Sequence, residues 1–337
     1  MIRRDARRRL VLLALLAPFL AITTWLKIED TPPEGDEELR IVPIAAERPP
    51  GWPDGLTITG SWHLMSDYPL FGGYSALVAL PDDRLIAYSD VGNLLRFGDP
   101  SAAAAAPFAF AKVPRDPESS RGSDIEAATR DPETGTIWLS YEGRNAIRRF
   151  RLGADHPQTA EPPAMRDWPE NGGPEAMTRL PDGRFIVLAE RDATISRQPG
   201  EGLLFPGDPL DGGDPVRFRL HGGGGFQPVD MAALPDGRVL VLLRTLDWGW
   251  PPFRGRLMLA DPADIVPGEA WPWQLLAELD SPLPRENYEG LAIVPAPEGG
   301  LTIWIIADDN RSQFQRSLLL KLHWAEVIEG AFEGRGS

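Results

Sequence analysis

The chain has 337 residues, 42% of them hydrophobic, with 11 Trp and a formal net charge of −15, which is ample material for one large closed core. Residues 1–9 carry five Arg and one Asp, a local +4 that leaves the remainder at −19, and a body this acidic excludes nucleic acid as a partner and favours cations. The absence of cysteine excludes disulfides, thiol nucleophiles and Cys-based metal sites, but not export.

Arg3, Arg4, Arg7, Arg8 and Arg9 precede an apolar stretch from Leu10 to Leu26, a basic start followed by a segment of signal-peptide or short-anchor length. Residues 1–28 are read as a helical signal peptide or membrane anchor. The stretch is marginal for a bilayer core of ~30 Å, and no small-x-small cleavage site stands out, so retention and cleavage both stay open. Arginines held on the cytoplasmic side place the body on the periplasmic or extracellular side of the envelope, with membrane contact through this segment only. Residues 29–53 are polar and Pro-rich and read as a linker, 54–326 as the folded domain and 327–337 as a tail.

Within the body, short β-rich runs alternate with Pro-Asp-Gly, Gly-Gly and Asp-Pro turns. The first group of strands is expected at Ser75–Leu80, Arg84–Tyr88, Leu94–Phe97 and Ala109–Val113. The second is Ile125–Thr129, Thr136–Tyr141, Ala146–Leu152 and a weaker strand near Ala164–Trp168. The third is Glu175–Leu180, Arg184–Ala189, Gly202–Phe205 and Val216–Leu220. The fourth is Met231–Leu234, Val239–Leu243, Arg256–Leu259 and Gln274–Leu279. The last gives Leu291–Val294, Thr302–Ile306 and Leu318–Trp324, and its fourth strand is supplied from the other end of the body by Leu56–Leu64.

Each group opens on the same pattern: an acidic or hydroxyl residue, a small apolar step, and a turn of the Leu-Pro-Asp-Gly type. The lead residues are Ser75, Glu126, Glu175, Asp230 and Glu289, spaced by 51, 49, 55 and 59 residues. Repetition near this period in an all-β chain indicates a β-propeller, five-bladed by repeat count, with six blades open if one is degenerate. A second polar position follows the second strand of each group: Asp90, Glu142, Glu190, Arg244 and Asp308. The start of one antiparallel strand and the end of the next lie at the same end of a blade, so these residues are expected to crowd one mouth of the axial tunnel.

Crowded carboxylates cannot all ionise without a counter-charge. Arg144, Arg191, Arg244 and Arg311 are candidate counter-charges, and a hard cation such as Ca²⁺, bound by carboxylate, Asn and carbonyl oxygens, is the alternative. Glu126, Glu175, Asp230, Glu289 and Asp308 are the candidate metal ligands. Glu142, Arg144 and Arg311 are the candidate catalytic groups, and Asp90, Glu190 and Asn310 the candidate substrate-binding groups. Bracing of the blades through backbone hydrogen bonds is the competing role for the same acids. There is no P-loop, no His-Glu-x-x-His and no nucleophile elbow. The four histidines lack ligand spacing, and Asp208, Asp211 and Asp214 read as a solvated acidic loop.

The segments Phe71-Gly72-Gly73-Tyr74-Ser75, Ser89-Asp90, Asp124-Ile125-Glu126-Ala127 and Tyr141-Glu142-Gly143-Arg144-Asn145 follow in order. Asn171-Gly172-Gly173-Pro174-Glu175-Ala176, Leu234-Pro235-Asp236-Gly237-Arg238, Asn287-Tyr288-Glu289-Gly290-Leu291-Ala292 and Asp308-Asp309-Asn310 continue the series. This ordered set resembles the phytase-like, "esterase-like activity of phytase" family, from about Gly60 to Trp324. The resemblance implies a propeller with phosphoesterase or esterase activity on a small-molecule ester or phosphoester. An acidic mouth with few Lys departs from what a densely anionic substrate such as phytate needs, unless bound Ca²⁺ inverts the local field. Two functions therefore stay open: a calcium-dependent hydrolase, and a non-catalytic envelope propeller that binds an unknown ligand with at most a structural metal.

Overall fold

The computed structural model describes residues 37–81, 83–102, 107–114, 124–153, 157–190, 200–221, 223–248 and 251–325. The expected signal or anchor helix and the C-terminal tail lie outside these residues. Among the described residues no helix is long and apolar enough to cross a membrane.

Strands β1 (Arg40–Pro43) and β2 (Leu56–Met65) come first in the chain but complete its last sheet. The first blade is β3 (Tyr74–Leu80), β4 (Arg84–Ser89), β5 (Asn93–Gly98) and β6 (Ala109–Lys112). The second is β7 (Ile125–Arg130), β8 (Thr136–Tyr141), β9 (Ala146–Arg151) and β10 (Gln158–Ala160). The third is β11 (Pro174–Arg179), β12 (Phe185–Ala189), β13 (Gly200–Phe205) and β14 (Val216–Leu220). The fourth is β15 (Gln227–Ala233), β16 (Val239–Leu246), β17 (Phe253–Ala260) and β18 (Gln274–Leu279). The fifth takes β19 (Asn287–Pro295), β20 (Leu301–Asp308) and β21 (Ser317–Trp324) from the end of the chain and joins β2 and β1 to its outer edge. The innermost strands β3, β7, β11, β15 and β19 neighbour one another in sequence, and β19 returns to β3 to close the ring. This is a five-bladed β-propeller; among the described residues no sixth blade is formed.

Because a blade is covered on both faces, its middle strands are apolar almost throughout, and successive residues serve different neighbours. In β16, Leu240 and Leu242 pack with Leu291, Ile303 and Ile305 of the fifth blade. Val239, Val241 and Leu243 pack with Ile186 and Leu188 of the third. Each such fully buried aliphatic side chain stabilises the fold by about 1.5–3 kcal/mol. The Leu-Pro-Asp-Gly turns join first to second strands at the end away from the mouth. In the third blade Gly183 takes φ +92°, its amide donates to Leu180 O (3.0 Å), and Asp182 Oδ1 accepts the Arg184 amide (3.1 Å).

Two expectations are corrected. The stretch read as a linker, 29–53, includes β1, which pairs antiparallel with β2 from Arg40↔Met65 to Pro43↔Trp62. It also includes buried Trp52, whose Nε1 donates to Glu278 O (2.8 Å). Proline-rich composition marks the absence of helix there, not the absence of pairing. In the second blade the outer strand is Gln158–Ala160, while Pro163–Met165 forms a 3₁₀ turn. Prolines at 162 and 163 remove two amide donors that a strand at 164–168 would need just before it.

Candidate functional site

Every innermost strand begins with a β-bulge, and the bulge decides which side chain reaches the axis. In the third blade Pro174 pairs with Ala189 and Ala176 with Leu188, leaving Glu175 as the extra residue. The same reading gives Ser75 in the first blade and Glu289 in the fifth. In the second, the irregularity between Ile125 and Ala128 takes in Glu126. In the fourth, Pro228 pairs with Leu243 and Asp230 with Leu242, so the bulge residue is Val229 and Asp230 lies one position further in. The residues one past the second-strand partners are Asp90, Glu142, Glu190, Arg244 and Asp308, one from each blade.

Asp230, expected as a metal ligand, is therefore turned away from the acids at the mouth. It is fully enclosed, with Oδ1 accepting the Met231 amide (2.8 Å) and Oδ2 the Leu291 amide (2.6 Å) of the neighbouring blade. It belongs to a set of braces between adjacent blades. Ser75 Oγ donates to Ile125 O (2.6 Å), Ser140 Oγ to Pro174 O (2.8 Å), and Thr178 Oγ1 accepts the Ala233 amide (3.0 Å). Asp309 Oδ1 closes the set by accepting the Gly73 amide (2.9 Å).

The other acids converge. One oxygen from each of Asp124, Glu126 and Glu142 lies within 4.8 Å of the others. The Glu142 amide donates to Asp124 O (2.9 Å), tying the two loops of this trio together, and the Asp124 and Glu126 carboxyls share a hydrogen bond. Burial, then Glu142 and Asp90, push the Asp124 carboxyl up to about 6. Burial raises Glu126 well above the ordinary carboxylate range, with Glu175 the largest charged contributor. Glu175 is raised by burial and by Glu190 and Glu142, and Asp308 by burial and Glu289. Asp90 is raised by burial, partly opposed by the Val91 amide on its Oδ1 (2.7 Å) and by Arg311. All these directions have one origin: anions held close together out of water.

The fourth blade supplies no acid at either position. Its Arg244 crosses to the third and fifth blades, with Nη1 donating to Asn287 Oδ1 (2.6 Å) and to Glu289, and Nη2 lying 3.9 Å from Glu190 Oε1. Asn287 Nδ2 completes the group by donating to Glu289 Oε1 (2.8 Å). The mouth is thus split. Glu175, Glu190 and Glu289 face a guanidinium, whereas Asp124, Glu126 and Glu142 face one another.

Arg144 leaves this site: its guanidinium pairs with Glu161 Oε1 (2.8 Å) on the outer side of the second blade. Arg311 stays, acting on Asp90 across Gly73, where a Cβ would stand 2.9 Å from Asp90 Oδ1 and 3.3 Å from Arg311 Nε. Gly73, at φ +71°, is what allows that approach. Asn310 is exposed at φ 48° and gives its amide to Gln315 Oε1 (2.7 Å), so it stands on the rim. Arg191 lies outside the described residues. Asp124 was not among the expected site residues, although it stands two positions before a lead glutamate. The acidic loop at 208–214 is likewise not free: Asp208 Oδ2 accepts Trp138 Nε1 (2.9 Å) and Arg149 Nη1 (2.6 Å).

The all-oxygen donor set fits a hard divalent cation, and one further observation of the structure supports it. Asn145 is 8% exposed, its Nδ2 donates to Trp168 O (2.9 Å), and its Oδ1 has no hydrogen-bond partner among the described residues. That oxygen sits beside Glu142: a Cβ on Gly173 would be 2.5 Å from Asn145 Oδ1 and 3.4 Å from Glu142 Cγ. A buried amide oxygen without a donor costs about 1–3 kcal/mol, and a cation removes that cost.

Fold and mouth together define a class: a five-bladed propeller whose first two strands in each blade deliver polar side chains to one axial opening. A family model described as phytase-like, esterase-like activity of phytase, matches residues 69–311, and the chain belongs to this family. A search of curated proteins finds no matching relative. Among solved structures the chain is similar to PQQ-bound aldose sugar dehydrogenase from Streptomyces coelicolor, at 14% identity and TM-score 0.43, over 87% of this chain and 99% of that one. It is similar to the PQQ domain of pyranose dehydrogenase from Coprinopsis cinerea, at 11% identity and TM-score 0.42, over 88% and 98%. It also matches Kuenenia stuttgartiensis hydrazine synthase, at 12% identity and TM-score 0.39, over 77% of this chain and 64% of that one. These are likenesses of fold alone.

Proposed function

We propose that the chain is a calcium-dependent hydrolase of small phosphoesters or related esters, working at the second-blade side of the axial mouth. The observation that carries this reading is the Asp124–Glu126–Glu142 trio with the unpaired Asn145 Oδ1 beside it. These four residues would hold the ion, with Asp90 and Asp308 further along the same opening. Ca²⁺, when bound, supplies charge that neutralises the trio and polarises an ester or phosphoester oxygen.

The chain's own groups do the rest. Arg311, on the rim beside Asp90, and Arg244, deeper between Glu190 and Glu289, are the cations available to a substrate's anionic oxygens. Glu142 stays in the trio, and Arg144 has no part. The substrate is small and carries little charge, because a densely anionic one meets more acids than cations here. The arginine-first N-terminus supports a place for this body outside the cytoplasm.

The test is turnover of p-nitrophenyl phosphate and p-nitrophenyl acetate with EDTA and with Ca²⁺. Calcium-stimulated hydrolysis of either, lost in Glu126→Gln, is the expected result; equal activity in the variant would refute the assignment. A second reading, a ligand-binding propeller without turnover, is favoured by the mouth-end loop after β16, where Trp248 is fully exposed and Leu246 largely so. Calcium binding with no turnover of either ester would select it.

A further inference from the structure

At the end of the propeller away from the mouth, the second and third blades part to form a cleft of about 510 Å³. Its wall includes Arg151 at the end of β9 and Arg179 at the end of β11, with Trp138, Phe150 and Phe185 beneath. The Trp138 and Phe185 rings meet edge to face, 5.1 Å apart. Two acids also line the cleft, and their oxygens are already engaged. Asp131 accepts the Glu133 amide (2.9 Å) and Thr134 Oγ1 (2.9 Å). Asp208 accepts the Leu210 amide (2.9 Å), Trp138 Nε1 (2.9 Å) and Arg149 Nη1 (2.6 Å).

The two arginines are not engaged in this way. Among the described residues Arg151 makes one long hydrogen bond, Nε to Thr136 Oγ1 at 3.4 Å. Arg179 donates Nη1 to Leu180 O at 3.4 Å, and its Nη2 stands 3.7 Å from Asp131 Oδ2. A guanidinium carries five N–H donors, so both retain capacity directed at the same space. In a chain of net charge −15, a cleft lined by three arginines, Arg149, Arg151 and Arg179, against the two aspartates is a local reversal of sign.

We propose that this cleft binds a small organic anion, a carboxylate or phosphate carried on an apolar body. The anionic group lies against Arg151 and Arg179, in the bidentate manner that suits guanidinium, and the apolar part against Trp138 and Phe150. The volume is that of an ordinary small-molecule site. The cleft is separate from the acidic mouth, which lies at the other end of the same strands, and needs no metal.

The test is calorimetric titration of phenyl phosphate, and separately of benzoate, into the full-length chain in EDTA, so that an ion at the mouth contributes nothing. Saturable binding of either is expected, weakened about tenfold or more by Arg151→Ala and by the Arg151→Ala/Arg179→Gln double variant, and unchanged in Glu126→Gln. The tighter ligand identifies the anionic group. Arg151 is exposed at a strand end, so its single variant tests the site even if the double variant is unstable. No saturable binding of either compound, or binding that survives Arg151→Ala undiminished, overturns the proposal.

Discussion

The Asp230 carboxylate accepts two main-chain amides from two blades, and Glu126 sits among four other carboxylates; burial raises both well above the ordinary range. Their replacement should have opposite effects. Asp230→Ala leaves the Met231 and Leu291 amides enclosed without acceptors, so it should destabilise the fold by about 1–3 kcal/mol while leaving calcium affinity unchanged. Urea unfolding together with a calcium titration reads both. Asp124 and the buried acids around it, all raised, push the pH behaviour of the metal-free protein in one direction. The folded value of Asp124, about 6, stands above its ordinary 3.8, so the folded state holds the proton more tightly. The penalty is full above about pH 6 and is relieved as pH falls toward 3.8. In EDTA the melting temperature should rise on going from pH 7 to pH 5. With Ca²⁺ bound the trend should reverse, because protons then compete with the ion. A metal-free melting temperature that falls over this interval would contradict the electrostatic account.

At the level of strands, most of the architecture is legible from period-two apolar runs and turn residues. Thr136–Tyr141 and Gln274–Leu279 coincide with β8 and β18 because a Gly or Pro turn sharply bounds each. The pattern was less able to show register. Ser75, Glu126, Glu175 and Glu289 each precede the turn proline by six residues, whereas Asp230 precedes Pro235 by five. That single-residue difference places Val229 at the bulge and turns Asp230 from the axis to the blade interface. Arg144 could not be placed from sequence at all, because its partner Glu161 is brought near only when the outer edge of the blade folds. The strand β1 was hidden for a related reason: its four residues are mostly exposed and carry no alternating pattern. Outer strands nevertheless close the ring. Deleting residues through 53 removes β1 and the Trp52 anchor and should lower the melting temperature. Deleting through 65 removes β2 as well, exposes the edge of β21 and should abolish the cooperative transition. Circular dichroism melts of the two truncations distinguish these outcomes, and equal cooperativity in both would contradict the closure described.

Over the whole molecule, charge is distributed by function rather than evenly. The acids of four blades gather at one end of the axis, Arg244 from the fourth neutralises part of them, and the trio on the second blade is, on the proposed reading, left to an external cation. That arrangement is the central claim, and thermal unfolding of the full-length chain in EDTA and then in excess Ca²⁺ tests it most directly. An ion that binds only the folded state at 100-fold above its dissociation constant adds about 2.7 kcal/mol, enough for a clear rise in melting temperature. The account predicts that rise in the unmodified chain and its loss in Glu126→Gln. No rise, or the same rise in the variant, would contradict it.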